Sequence, residues 1–196
     1  MKYILLFFIS LNVTISAQNV DIDILKSINL NRNKKLDNTF IALSNSVVPV
    51  SIAVPLTVIG MGLVKHDSCL KNKGIVIGAS LAIAAGITTG LKYTVKRERP
   101  FITYPAIDKA MNAGSPSFPS GHTSDAFATA TSLSLAFPKW YIIASSFVWA
   151  GSVGYSRMDL GVHYPSDVLA GAAIGAGTSY LCFKANKWLY ERHRKK

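Results

Sequence analysis

Two cysteines in 196 residues, Cys69 and Cys182, are too few to staple a small secreted domain, so packing must hold this chain together. Charge is scarce as well: 16% of residues are charged, and only 10 of them are acidic against 21 basic. No Cys/His grouping has the spacing of zinc ligands, and His66 and His193 stand alone in charged stretches. The formal net charge of +11 raises the question of nucleic acid. Its Lys and Arg residues are clustered rather than interleaved with aromatics, and no nucleic-acid reading module is visible, so that partner class is set aside.

What the chain has is apolar sequence, 49% of the total, more than a soluble domain of this size carries. Lys2 precedes an apolar run from Tyr3 to Ile15 and then Ser16 and Ala17. That pattern reads as a signal peptide cleaved after Ala17, or as an uncleaved first membrane helix. Five further apolar segments follow, at 47–64, 74–91, 125–137, 141–155 and 168–183. The first two are long enough to cross a hydrocarbon core of about 30 Å. The later three are shorter and diluted with Ser, Thr and Gly, yet together the five favour an all-α integral membrane bundle of about five or six spans. Small residues recur every fourth position at Gly78, Ala82, Gly86 and Gly90, and again at Gly171 and Gly175. Both rows predict faces where helix backbones approach closely. Residues 21–43 show helical spacing in two short pieces and read as interfacial helices.

Lys and Arg set the orientation. Lys65, Lys71 and Lys73, then Lys139, then the tail cations Lys184, Lys187, Arg192, Arg194, Lys195 and Lys196 fall on one side if the segments alternate. That side is expected to be cytoplasmic, with both cysteines there as free thiols. The connections at 18–46, 92–119 and 156–167 then face the other way, and they hold nearly all the residues capable of chemistry.

Lys92, Lys96 and Arg99 would share a face of a helix continuing out of the second long segment, ended by Pro100. Ser115-Pro116-Ser117-Phe118-Pro119-Ser120-Gly121-His122-Thr123 leads into a helix start. Its free N–H groups at Ser120, Gly121 and His122 make an anion cradle, beside which His122 can donate a proton. In the third connection, Arg157 is followed by His163 and, four residues later, by Asp167 in the first turn of the last helix. A carboxylate on one imidazole nitrogen fixes the tautomer and makes the other nitrogen nucleophilic. Each group has an ordinary structural explanation when taken singly: a helix cap, an interfacial cation. Their convergence on one side supplies what phosphoryl transfer needs, namely cations, N–H donors, a proton donor and a nucleophile.

Lys92-x6-Arg99-Pro100, Pro119-Ser120-Gly121-His122 and Ser156-Arg157-x5-His163-x3-Asp167 together resemble the three-part signature of the type 2 phosphatidic acid phosphatase family. That family is related to bacterial class A acid phosphatases and vanadium haloperoxidases. The resemblance covers roughly residues 74–183. It implies a metal-independent membrane phosphatase without cofactor. His163 would be the nucleophile that becomes phosphohistidine, Asp167 its orienting acid and His122 the leaving-group acid. Lys92, Arg99, Ser120, Gly121 and Arg157 would hold phosphate oxygens. Lys96 and Asp125 are outside the shared pattern. Expected substrates are lipid phosphates in the bacterial inner membrane, reached from the outer face: undecaprenyl pyrophosphate first, then phosphatidate, phosphatidylglycerol phosphate or a lipid A phosphate. The expected organisation is a signal or first helix at 1–17, interfacial helices at 18–46, a phosphatase domain at 47–183 and a basic cytoplasmic tail at 184–196. The nearest rival is a soluble secreted acid phosphatase on small phosphate esters; the short chain and spanning segments argue against a vanadate-dependent haloperoxidase, and nothing in the sequence supports a membrane binding or scaffolding protein without turnover.

Overall fold

The computed structural model describes residues 20–194, so the segment expected at 1–17 lies outside the described residues. Every regular element among the described residues is helical. Helix α1 covers residues 20–29. A 3-10 turn at Lys34–Leu36 leads into α2 (Asp37–Asn45), and α3 (Val47–Val64), α4 (Ser68–Val95), the short α5 (Pro100–Thr103), α6 (Gly121–Ala136), α7 (Trp140–Asp159) and α8 (Pro165–Arg194) follow. Ser46, between α2 and α3, keeps right-handed helical angles, so the two run on as one helical stretch. Accordingly α2 is less a separate interfacial piece than the entry of a longer apolar helix.

The chain is an integral membrane helical bundle. Lys34–Val64, Ser68–Thr103 and Pro165–Arg192 are long and apolar enough to cross a bilayer. The side-chain distribution is that of a protein solvated by lipid. Ile52, Leu56, Ile83, Ile87, Leu169 and Leu181 point outward, while Ser80, Thr88, Ser124, Thr129, Ser132 and Ser179 are buried between helices. Those hydroxyls pair across the interfaces. Thr88 Oγ1 donates to Ser124 Oγ at 3.0 Å, and Ser132 Oγ donates to Ser179 Oγ at 3.0 Å.

Central to the bundle is α6, packed by α8, α7, α4 and α3. Its contact with α8 depends on Gly171 and Gly175. A Cβ on Gly175 would lie 2.1 Å from the Ser124 carbonyl oxygen, and one on Gly171 would lie 2.5 Å from that of Ser120. The predicted close-approach face is therefore present on α8. The row on α4 behaves differently: Gly78 meets Pro55 at ordinary contact distance, but Gly86 and Gly90 have nothing within 4 Å and Ala82 is exposed. On α4 it is Gly74 that admits α3, with Ile59 Cγ1 2.7 Å from where its Cβ would be.

Helix ends depart from the sequence expectation in two informative places. α4 stops at Val95 because Lys96 turns left-handed at φ +51°. Lys96 and Arg99 consequently do not share a helix face with Lys92. Pro100 opens α5 at its first turn, with Arg99 as the N-cap residue, rather than closing α4. At the other end, α8 runs 30 residues, about 45 Å at 1.5 Å per residue, and takes the expected tail into the helix as far as Arg194.

Candidate active site

Three short segments meet at one end of the bundle: 97–99 after α4, 115–122 entering α6, and 157–167 between α7 and α8. The loop after α7 reverses at Gly161, whose φ is +71°. A Cβ there would come within 2.7 Å of the Asp108 carbonyl oxygen, so glycine is required by both angle and space. From that turn His163 points inward, 1% exposed. Pro165 starts α8 and sets Asp167 in its first turn, where Asp167 is fully buried.

His163 Nδ1 faces Asp167 Oδ2 at 3.4 Å, and its Nε2 lies 3.3 Å from Arg99 Nη1. A guanidinium can only donate, so Nε2 is the lone-pair nitrogen and Nδ1 carries the proton towards the carboxylate. Burial, with Arg157 and Arg99 nearby, pushes the His163 pKa down to about 3, partly opposed by its hydrogen bond to Asp167. The imidazole is thus neutral, with its free lone pair directed at an arginine.

Asp167 is held by several donors. Oδ2 accepts from Ser117 Oγ at 2.5 Å and from the Tyr164 amide at 3.0 Å; Oδ1 accepts from Arg97 Nη1 at 2.8 Å. Its own carbonyl accepts the Ser120 amide at 3.0 Å, tying the first turn of α8 to the start of α6. Ser120 is the N-cap of α6, and its hydroxyl accepts from the Thr123 amide. Gly121 and His122 follow in the first turn, both half-buried. A side chain on Gly121 would point towards Lys92 Cε, 3.9 Å away.

The cations close round this opening. Arg99 is buried and is fixed by donating from Nε to Ser115 O at 2.7 Å and from Nη1 to Val162 O at 2.7 Å. Lys92 Nζ donates to Pro116 O at 2.7 Å. Arg157, 2% exposed, uses Nη1 on Ser44 Oγ and Met111 Sδ, while its buried Nε has no hydrogen-bond partner among the described residues. A buried guanidinium with an unused N–H is costly unless an anion completes it.

The structure brings Lys92, Arg99, Ser120, Gly121, His122, Arg157, His163 and Asp167 together at this end of the bundle, but the Ser120 amide, expected to be free for an anion, is taken by the Asp167 carbonyl. Three more residues belong to the arrangement. Ser117 was within the quoted motif run without a role, and Arg97 stands in sequence beside Lys92, Lys96 and Arg99, four cations in eight residues. Asp21 stands far off in sequence, in an N-terminal stretch that gave no chemical signal.

A membrane bundle carrying a neutral buried histidine, backed by a carboxylate and faced by an arginine-lysine clamp, is equipped as a phosphatase. The chain belongs to the PAP2 superfamily, whose family model matches residues 73–191. It is 30% identical over 185 residues to the undecaprenyl-diphosphatase of Sulfolobus acidocaldarius, covering 91% of this chain and 87% of that one. Among solved structures it is similar to Aquifex aeolicus LpxE, with TM-score 0.72 and 28% identity over 84% of this chain and 95% of that one. A transmembrane PAP2-type phosphatidylglycerolphosphate phosphatase from Bacillus subtilis shares the fold, with TM-score 0.74, 24% identity and 93% coverage of each chain.

Proposed function

We propose that this protein is a metal-independent lipid-phosphate phosphatase working through a phosphohistidine at His163. The observation that carries the reading is the pair of contacts on the imidazole: Asp167 on Nδ1 and Arg99 on Nε2. A phosphate held by Arg99 brings its phosphorus to the nitrogen that has the lone pair.

The chemistry follows. His163 Nε2 forms a bond to phosphorus as the P–O bond to the lipid breaks; burial and the cations Arg157, Arg99 and Lys92 lower the His122 pKa to about 4, and with the phosphate anion offsetting those cations His122 takes up the proton that it gives to the departing oxygen. Lys92, Arg99, Arg157 and the amides of Gly121 and His122 in the first turn of α6 hold the non-bridging oxygens, where negative charge is concentrated, while the Ser120 amide is spent on the Asp167 carbonyl. The Nδ1 proton, shared with Asp167, offsets the positive charge that phosphorylation puts on the ring. A water then attacks phosphorus, giving a proton to His122, and the N–P bond breaks to release inorganic phosphate.

Undecaprenyl diphosphate is the first-choice substrate. The Sulfolobus relative is named for that lipid and is matched along nearly its whole length. We place the site at the outer face of a bacterial inner membrane, because the Lys- and Arg-rich connections lie at the opposite end of the bundle. About five or six spans would include α6 and α7, and the organisation would keep 47–183 as the phosphatase domain. The soluble-enzyme reading is disfavoured by three spanning-length apolar helices.

Phosphate release by the detergent-purified protein in excess EDTA tests this, with undecaprenyl diphosphate, phosphatidate and a water-soluble phosphate ester compared. Undecaprenyl diphosphate should be turned over fastest, and His163→Ala should abolish release. Preference for the soluble ester, or activity that EDTA removes, would sink the reading.

A further inference from the structure

Helix α1 precedes the part of the chain that the family model matches, yet it delivers a carboxylate to the site. Asp21, 8% exposed, accepts from the Ser166 amide through Oδ1 at 2.8 Å and from Arg97 Nη2 through Oδ2 at 2.7 Å. Ser166 Oγ adds a third donor to Oδ2 at 2.5 Å. The same Arg97 donates from Nη1 to Asp167 Oδ1 at 2.8 Å and lies over the Tyr164 ring, 3.8 Å from its centroid. Arg97 is therefore a cation shared by two carboxylates, one of which contacts His163.

The docking of α1 is specific rather than incidental. Ile22 and Leu25 pack with Ile107 and Tyr164. Asn29, 1% exposed, donates to the Asp159 and Asp108 carbonyls at 2.8 and 2.9 Å and accepts the Asp108 amide at 2.9 Å. These contacts dock α1 beside the loop that carries His163.

We infer that Asp21 is a positioning residue that acts through Arg97 to hold Asp167 in register with His163 and to balance the arginine charge. The inference rests on the reading of His163 as nucleophile. With Asp21 neutralised, the whole Arg97 charge falls on Asp167. The carboxylate then supports the developing imidazolium less well, and its grip on the ring loosens. The phosphate clamps are untouched, so the loss belongs in kcat and not in KM.

The test measures kcat and KM for phosphate release from undecaprenyl diphosphate by full-length wild type, Asp21→Asn, Leu25→Ala and His163→Ala, with thermal unfolding in detergent as a fold check. Asp21→Asn should lower kcat about tenfold with KM within about twofold. Leu25→Ala, which weakens α1 packing without touching Arg97, should keep kcat near wild type. In an Arg97→Gln background, Asp21→Asn should cost nothing further. If Asp21→Asn does not fold, Asp21→Glu takes its place, with a kcat loss of about threefold that again vanishes in the Arg97→Gln background. Wild-type kcat in a folded variant overturns the inference, as does a loss confined to KM. So does an equal loss in Leu25→Ala or an unchanged loss in the Arg97→Gln background. Activity surviving in His163→Ala would instead remove the underlying reading, a separate and recognisable result.

Discussion

At His163 the chemistry depends on which ring nitrogen holds the proton, and the neighbours decide it. Arg99 on Nε2 and Asp167 opposite Nδ1 leave one arrangement. Asp167→Asn keeps the shape but offers the imidazole a weaker and differently oriented partner, so kcat should fall by about 10³ to 10⁴ with folding intact; steady-state kinetics on the purified variant checks this. The depressed pKa of His163, about 3, predicts a second result. The group is neutral above that value and becomes protonated only below it, so acidification from about pH 7 to about pH 5 leaves the nucleophile available. The pH dependence of kcat/KM should show no acid limb near an ordinary histidine pKa that His163 accounts for; an imidazole signal of His163 titrating near 6.5 by NMR would contradict the burial argument. The principal residues were legible because their types and spacings are chemically unusual together. Arg97 was not, because four cations in eight residues look alike until the chain turns at Lys96. Ser117 was hidden as well, since a serine in a Pro-Ser-Gly stretch reads as a turn residue.

The helices place these groups through backbone contact. Gly171 and Gly175 let α8 lie against α6, and through the Ser120 amide on the Asp167 carbonyl that contact sets the phosphate cradle against the nucleophile's partner. Gly175→Ala must push the helices apart and should cost about 1 to 3 kcal/mol, lowering both thermal stability in detergent and activity. Gly86→Ala, inside α4 with nothing within 4 Å, should leave stability unchanged or raise it by up to about 1 kcal/mol. Thermal unfolding of the two variants side by side makes the comparison. The periodicity of small residues was visible in both helices, but period alone cannot say whether a row faces a neighbour or the outside. The apolar segments found every long helix and matched α3 at both ends, but fell short on others: α4 and α7 outrun their apolar cores, since polar residues near a surface continue a helix that hydropathy no longer marks. Asp21 was illegible for a different reason. Its partners are 76 and 145 positions away, and only tertiary packing brings them together.

For the molecule as a whole, the site lies at one end of the bundle and the basic ends of α4 and α8 at the other. Asn72 near the start of α4 donates to Asn186 near the end of α8, whereas Lys92 is about 36 Å along α4 from Ser68 at 1.5 Å per residue. Cys69 is exposed at the basic end and Cys182 is half-buried near it. In intact cells a membrane-impermeant maleimide should leave Cys69 unlabelled until the membrane is permeabilised, if the site faces outward; labelling of intact cells would reverse the proposed orientation. The central claim, however, is the covalent intermediate. The most direct measurement is rapid quenching of the enzyme during turnover of labelled undecaprenyl diphosphate under alkaline conditions, followed by mass spectrometry of its peptides. Phosphate on His163, lost on mild acid treatment and missing from His163→Ala, is the predicted result. Phosphate on another residue, or full turnover by His163→Ala, would contradict it.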